Sequence, residues 1–200
     1  MTPRDEGVIK FNCNWKEALP LPQLALQDLI YFRQKLYHSG LIGVYPDGIG
    51  FGNLSCRNEI QKHFIISGSQ TGHLAEVTSN HFALITEYSI EENSLTCEGP
   101  IKASSESLTH AMIYETFSKA TAVIHVHSPQ LWKKLKHTIP TSGETIPYGT
   151  PPMANEIKRL ANECRLEEHQ ILVMAGHEDG VITFGKNLRE AYLVLMQYMN

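Results

Sequence analysis

The mostly apolar segment from Ala122 to His127 is predicted to be a strand. In an extended chain, Val123, His125 and His127 point to one face and the intervening residues to the other. Further strands are predicted where short apolar runs are bounded by turn residues: at His63–Ser67, in a hairpin of Phe82–Ile90 and Leu95–Glu98, in a buried central strand at Ile171–Ala175, and at Val181–Phe184.

Apolar residues at helical spacing predict the helices. They are Leu21–Ser39 with Gly40 as its stop, a helix that begins at Ser104 and Ser105, Pro129–Lys136, Met153–Cys164, and a last helix from Asn187, which forms a capping box with Glu190, to about Tyr198. The segment Thr141–Pro152 is rich in glycine and proline and is predicted to be a loop.

The two histidines of the strand form a candidate metal site. Residues i and i+2 of a strand are separated by about 6–7 Å, so the rings of His125 and His127 can converge on one ion. The alternative is a pair of hydrogen-bonded or surface histidines. A third histidine, His177, follows Gly176 at the end of the predicted central strand, where it is well placed for a site.

Glu106 is predicted to lie in the first turn of the helix that Ser104 and Ser105 cap. The free backbone N–H groups of that turn can bind an anion, and His110 lies four residues later on the same helix face. The alternative is a solvated glutamate that complements the helix dipole.

Two glycine-containing segments are candidates for close approach of a ligand to the backbone. Tyr45–Arg57 leads into a short strand, with a simple hairpin as the alternative, and Gly68–Gly72 is a loop of hydroxyl residues and glycine that can cradle a phosphate. The loop lacks the lysine of a Walker motif.

Length and composition predict one domain that spans residues 1–200. The chain has 42% hydrophobic and 19% charged residues and no apolar run of the length that a membrane helix requires. No secretory signal is visible at the N-terminus, so we expect a cytoplasmic protein that does not bind a membrane. Four scattered cysteines predict reduced thiols. The net charge of −4 disfavours nucleic acid as a partner, so an anionic substrate has to be held by local dipoles and a cation.

Taken together and in this order, several motifs resemble the class II aldolase/adducin superfamily. They are Gly52–Arg57, Ser67–Gly72, Ser104-Ser105-Glu106 with His110 and Tyr114, Val123–His127, and Ile171–Gly185 with its single histidine. The resemblance covers about Leu24 to Tyr192. Relatives include zinc-dependent sugar-phosphate aldolases, pentulose-phosphate 4-epimerases and a dehydratase.

The resemblance implies a fold and a set of site residues. The fold is a single three-layer α/β/α domain on a mixed, mostly antiparallel sheet, commonly assembled as a homotetramer. His125, His127 and His177 match the zinc ligands, although another divalent metal is also compatible, and Glu106 matches the catalytic acid/base. The positions that hold a substrate phosphate are matched by Gly52, Asn53, Ser67, Ser104 and Ser105.

Three imidazoles leave zinc an open position from which it can stabilise an enediolate while Glu106 moves the proton. We therefore expect a zinc-dependent lyase that cleaves a small ketose or ketose phosphate by retro-aldol chemistry. A dehydratase with the same zinc and glutamate, or a non-catalytic adducin-like binding module, are the alternatives. Epimerases are disfavoured, because those relatives typically carry aspartate at the position of Glu106.

Three departures from the family pattern stand out. Glu178 and Asp179 separate His177 from Gly180, where the family usually has glycine directly after the histidine, and we expect them to form a turn. Gln70-Thr71-Gly72 extends the phosphate loop, so a phosphorylated substrate is less firmly expected than the metal. The short tail up to Asn200 leaves little room for the C-terminal tyrosine that some family aldolases use.

Overall fold

An eight-stranded sheet is the centre of the computed structural model, which describes residues 7–57 and 63–199. The strands of the described chain are β1 (Asn12–Glu17), β2 (Gly43–Val44), β3 (Gly50–Phe51), β4 (Asn53–Arg57), β5 (Phe64–Ser67), β6 (Phe82–Ser89), β7 (Ser94–Gly99), β8 (Ala122–His127), β9 (Ile171–Val173) and β10 (Gly180–Gly185). The large sheet has the order β1-β7-β6-β5-β4-β8-β10-β9, and β2 and β3 form a separate hairpin.

The helices of the same part are α1 (Gln27–His38), α2 (Ser107–Thr116), α3 (Pro129–Leu135), α4 (Pro151–Glu163), α5 (Leu166–His169) and α6 (Leu188–Met199). Short 3-10 turns lie at Gln23–Leu26 and Ser79–His81. No helix among the described residues is long and apolar enough to cross a membrane.

The large sheet is mixed and mostly antiparallel, as predicted. Within it, β1 pairs with β7 in parallel, and the other neighbouring strands pair antiparallel. One face packs against α2 and α4, and the other against α1, α3 and α6. This arrangement gives the three layers that the resemblance implied. That the whole chain is one domain stays a prediction.

The predicted alternation in β8 matches the two layers. Val123 packs in the core below α2 and α4, whereas Ala122, Ile124 and Val126 pack in the core on the opposite face. Because side chains alternate along a strand, His125 and His127 lie on the face of Val123, which is also the face covered by α2. The element that carries Glu106 and the strand that carries two histidines therefore meet.

Several predicted elements differ in position or length. The run Ile171–Ala175 was predicted as a central strand, but β9 includes only Ile171–Val173 and lies at the edge of the sheet. It is buried because the two cores cover its faces and residues 140–142 bond to its outer edge: Val173 N–H donates to Pro140 O and Ser142 N–H donates to Val173 O. The apolar run correctly predicted that this strand is buried, but it did not reveal which strands lie beside it in the sheet.

Helix boundaries shift by a few residues. The predicted helix Leu21–Ser39 is a 3-10 turn followed by α1, and α4 begins at Pro151 instead of Met153, since proline suits the first turn of a helix. The last helix has the predicted cap, with Glu190 N–H donating to Asn187 Oδ1 over 2.8 Å. Neither β1 nor α5 was predicted.

Candidate metal centre and substrate pocket

The structure brings His125, His127 and His177 together. Nε2 of His127 lies 3.0 Å from Nε2 of His125 and 2.9 Å from Nε2 of His177. The potential ligand atoms of the three side chains all lie within 4.8 Å of one another, and the three residues are buried. These three nitrogen donors could hold a metal ion.

His177 lies 50 positions after His127 in the sequence, and strand pairing explains how it reaches the two histidines of β8. Gly180 of β10 is opposite His127, so the turn that precedes β10 ends beside that histidine. Gly180 N–H donates to His177 O over 2.9 Å, which closes the predicted turn through Glu178 and Asp179. A Cβ at Gly180 would lie 2.7 Å from Cδ2 of His177, so glycine is needed here for the ring to pack.

The orientation of His125 is determined by the backbone. Its Nδ1 lies 3.3 Å from the carbonyl oxygen of Val181, which can only accept, so Nδ1 carries the proton. The lone pair of the neutral ring is therefore on Nε2, the nitrogen that faces His127. A hydrogen bond to the nitrogen that does not bind metal is the usual way in which metal-ligating histidines are oriented.

The imidazole ring of His125 is neutral at neutral pH. Burial, followed by the neighbouring His177 and His110, holds the pKa of His125 well below its usual range. The contact of 3.9 Å between its Nε2 and Glu106 Oε1 is therefore not an ion pair at neutral pH. Neutral imidazole is the form that binds metal. Bond lengths of about 2.0–2.1 Å place the nitrogens of a tetrahedral zinc site about 3.3 Å apart. The two Nε2 pairs that include His127, at 3.0 Å and 2.9 Å, lie within a few tenths of an ångström of this spacing.

Glu106 is fully buried beside the three histidines. Its Oε1 lies 3.6 Å from Nδ1 of His177. It was predicted to be in the first turn of the helix, but α2 begins at Ser107 and Glu106 is its N-cap residue. The reason is a tight turn in which Ser107 N–H bonds to Ser104 O and Glu106 N–H donates to Ser104 Oγ. This turn directs the carboxylate to the metal centre.

A buried polar network lies below the candidate site. Ser55 Oγ on β4 is hydrogen-bonded to Nδ1 of His110 over 2.7 Å and to Oη of Tyr114 over 2.6 Å. Burial lowers the pKa of His110 to about 3, so its ring is neutral. Among the described residues, Nε2 of His110 has no hydrogen-bond partner. His110 lies one helical turn after Glu106, whose carbonyl oxygen accepts a hydrogen bond from His110 N–H over 3.1 Å, and it is tied to the sheet through Ser55.

The residues predicted to hold a phosphate lie around a small polar cavity. Gly52, Asn53, Ser104 and Ser105 line it, together with Gly7, Gly50 and residues 68–72. Ser67 is not among the lining residues, because its hydroxyl donates to Leu54 O and accepts from Leu54 N–H, each over 3.2 Å. The phosphate role of these residues stays a prediction.

Two features determine the shape of this cavity. Gly52 has φ +78°, and a Cβ there would lie 2.7 Å from Ile42, so no other residue fits without strain. Buried Arg33 of α1 donates to the carbonyls of Thr71 and Gly72, which holds the loop from behind. The cavity measures about 20 Å³, which is room for a water molecule.

Two contacts near the metal centre were not predicted from the sequence. Tyr45 Oη, from the β2–β3 hairpin, lies 2.7 Å from Nδ1 of His127. The ring of Tyr148 lies edge-to-face on His177, with 4.3 Å between the centroids. Both tyrosines lie in irregular segments, where no periodicity marks them, so only the fold shows their position.

The segment 7–10 also reaches the site. Gly7 lines the small cavity, Val8 N–H donates to Oη of Tyr148 over 3.2 Å, and Nζ of Lys10 lies 3.6 Å from the centroid of the Tyr148 ring. The segment therefore covers the tyrosine that packs on His177.

Comparison with known proteins agrees with this geometry. The family model described as "Class II Aldolase and Adducin N-terminal domain" matches residues 27–199. This chain therefore belongs to the class II aldolase and adducin family.

Solved structures show the same fold at low sequence identity. An L-fuculose 1-phosphate aldolase is 20% identical with a TM-score of 0.67, and the match covers 90% of this chain and 84% of that one. A sugar-phosphate aldolase from Thermotoga maritima is 16% identical, with a TM-score of 0.63 and coverage of 88% and 91%. An aldolase II superfamily protein from Pseudomonas syringae is 14% identical, with a TM-score of 0.59 and coverage of 89% and 74%.

Proposed function

We propose that this protein is a metal-dependent lyase, with zinc as the expected metal, that cleaves a small ketose or ketose phosphate by retro-aldol chemistry. The observation that carries the proposal is the position of Glu106, whose Oε1 lies 3.6 Å and 3.9 Å from the rings of His177 and His125. A buried carboxylate beside three convergent imidazoles is suited to proton transfer at a metal-bound substrate.

In this proposal His125, His127 and His177 hold the ion, which supplies Lewis-acid polarisation of the substrate carbonyl when bound. Glu106 is the acid/base group. Cleavage removes the proton from the β-hydroxyl group, breaks the adjacent carbon–carbon bond and releases an aldehyde. The electron pair remains with the ketone fragment, whose carbon is then protonated. We assign both proton transfers to Glu106.

Substrate orientation is assigned to the small cavity. Gly52, Asn53, Ser67, Ser104 and Ser105 are the proposed phosphate-binding residues, with Ser67 acting through the backbone of Leu54. Among the described residues that line this cavity none is charged, so these residues would bind a phosphate through N–H and hydroxyl groups. The family resemblance further supports a homotetramer.

The test is solvent deuterium exchange into a panel of small ketoses, their phosphates and their ketone fragments. Proton exchange at the ketone fragment does not require the aldehyde partner to be known. Glu106→Gln should keep the bound metal and lose about 10²–10⁴-fold in exchange rate, because glutamine keeps the shape without the titratable group. Glu167→Gln, at an exposed glutamate of α5, is the matched control.

The outcomes are separable. Undiminished exchange in Glu106→Gln would move the base role to another residue. Zinc-loaded wild-type protein that exchanges none of the panel would refute the lyase proposal and favour a non-catalytic module.

A further inference from the structure

The β2–β3 hairpin places two aromatic rings against His127. Phe51 lies 5.4 Å from the His127 ring and 4.5 Å from that of Tyr45, between centroids. The hairpin turn is closed by Tyr45 N–H to Ile49 O and Gly48 N–H to Tyr45 O, each over 2.9 Å. Tyr45 is therefore fixed in position through its own backbone, and its hydroxyl is held at Nδ1 of His127.

His127 is the central ring of the cluster. Its Nε2 is close to Nε2 of both other histidines, at 3.0 Å and 2.9 Å, so a rotation of this ring would separate all three potential ligand atoms. The backbone carbonyl of Val181 orients His125, and the carboxylate of Glu106 faces His177. For His127 the corresponding contact is the phenol of Tyr45.

We propose that Tyr45 is a positioning residue for the metal centre, which accepts a hydrogen bond from Nδ1–H of His127 and so directs the lone pair of Nε2 to the ion. The inference rests on the proposed metal-dependent function. The bond has two consequences: with Nδ1–H as the donor it leaves the lone pair of Nε2 available to the ion, and it reduces the rotational freedom that the ring loses on binding. Tyr45 acts through His127 and takes no part in the chemistry.

The test is the dissociation constant for zinc, measured by competition with a chromophoric chelator. Tyr45→Phe removes the hydroxyl but keeps the ring that packs on Phe51. Loss of such a supporting contact typically weakens metal binding by about 10–100-fold, and we expect a change of this size. Tyr31→Phe, at an exposed tyrosine of α1, removes one hydroxyl away from the cluster and should leave zinc binding unchanged.

Phe51→Leu separates the hydrogen bond from packing in the hairpin. It should lower the midpoint of thermal unfolding of the metal-free protein and change zinc affinity less than Tyr45→Phe does. The absorption spectrum of the cobalt-substituted protein gives a second readout, because the d–d bands report ligand geometry independently of turnover; we expect it to change in Tyr45→Phe and to stay as in the wild type in Tyr31→Phe.

Three results would overturn the inference or its basis. If the wild type binds zinc and Tyr45→Phe binds it equally well, Tyr45 has no positioning role, while the proposed function stands. If Phe51→Leu weakens zinc binding as much as Tyr45→Phe, packing and not the hydrogen bond is responsible. If the wild type binds no divalent metal, the proposed function itself fails.

Discussion

Replacement of Ser55 by alanine should destabilise the protein more than the loss of one small side chain suggests. Ser55 is fully buried in β4, and its hydroxyl connects the sheet to α2 through His110 and Tyr114. The methyl group of alanine cannot replace either hydrogen bond. Because both partners are themselves buried, water cannot satisfy them without entering the core.

The magnitude follows from the number of groups left unpaired. An unsatisfied buried polar group costs about 1–3 kcal/mol, so two such groups give a loss of about 2–6 kcal/mol in the free energy of unfolding. Native proteins are stable by only about 5–15 kcal/mol, so this is a large fraction of the total. Tyr114→Phe alone should cost less, because Ser55 would keep its bond to His110.

Urea denaturation of the metal-free protein at neutral pH measures these changes. The slope with urea should be the same in all variants, since the surface exposed on unfolding is nearly unchanged. A double-mutant cycle of Ser55→Ala and Tyr114→Phe should give a coupling energy of about 1–3 kcal/mol. Ser118→Ala, at an exposed serine, is the control and should change stability by less than about 0.5 kcal/mol.

A loss below about 1 kcal/mol for Ser55→Ala at unchanged slope would refute this reasoning, because the core would then satisfy both groups in another way. A coupling energy near zero would show that the two hydroxyl groups act independently.

The remaining predictions concern metal and pH. Metal analysis of the wild type should give about one ion per chain, as expected for a site with three protein ligands, and the double substitution His125→Ala/His127→Ala should abolish it; unchanged metal content in that variant would contradict the assignment. Stability should fall on acidification, because the pKa of His110 is about 3 in the folded protein against about 6.5 in the unfolded chain, so the unfolded state binds more protons between these values. His110 should contribute up to about 1.4 kcal/mol per pH unit in that window, and His110→Gln should reduce the slope of urea-derived stability between about pH 6 and pH 4.5 by that amount; an unchanged slope would mean that His110 is protonated in the folded protein.

The strand β8 shows what local pattern can predict. Its boundaries, Ala122 and His127, are the predicted ones. The shared face of its two histidines follows from the period of two of a strand, which assigns alternate side chains to one core or the other. His177 was predicted because an apolar run ends beside it. That it reaches His127 depends on the pairing of β10 with β8, a long-range contact. In the sequence, only the family resemblance grouped His177 with the other two histidines.

The edge strand β1 shows why other elements escape prediction. Its sequence, Asn12–Glu17, alternates exposed with half-buried positions and contains few apolar residues, so it has little strand signal. The strand β1 forms because its backbone pairs with the edge of β7, which lies far away in the sequence. Tyr45 was missed for a related reason: its position depends on the β2–β3 hairpin folding onto β8, which no local property of the loop reveals.

The segment 7–10 has a consequence for experimental work on this chain. The family match begins at residue 27, although Gly7 lines the small cavity and Val8 and Lys10 contact Tyr148. An expression clone trimmed to the matched range would keep the three histidines and Glu106 but lose β1, one wall of the cavity and the cover over Tyr148. Such a protein is expected to bind substrate more weakly, and an assay on it would understate the activity of the full chain.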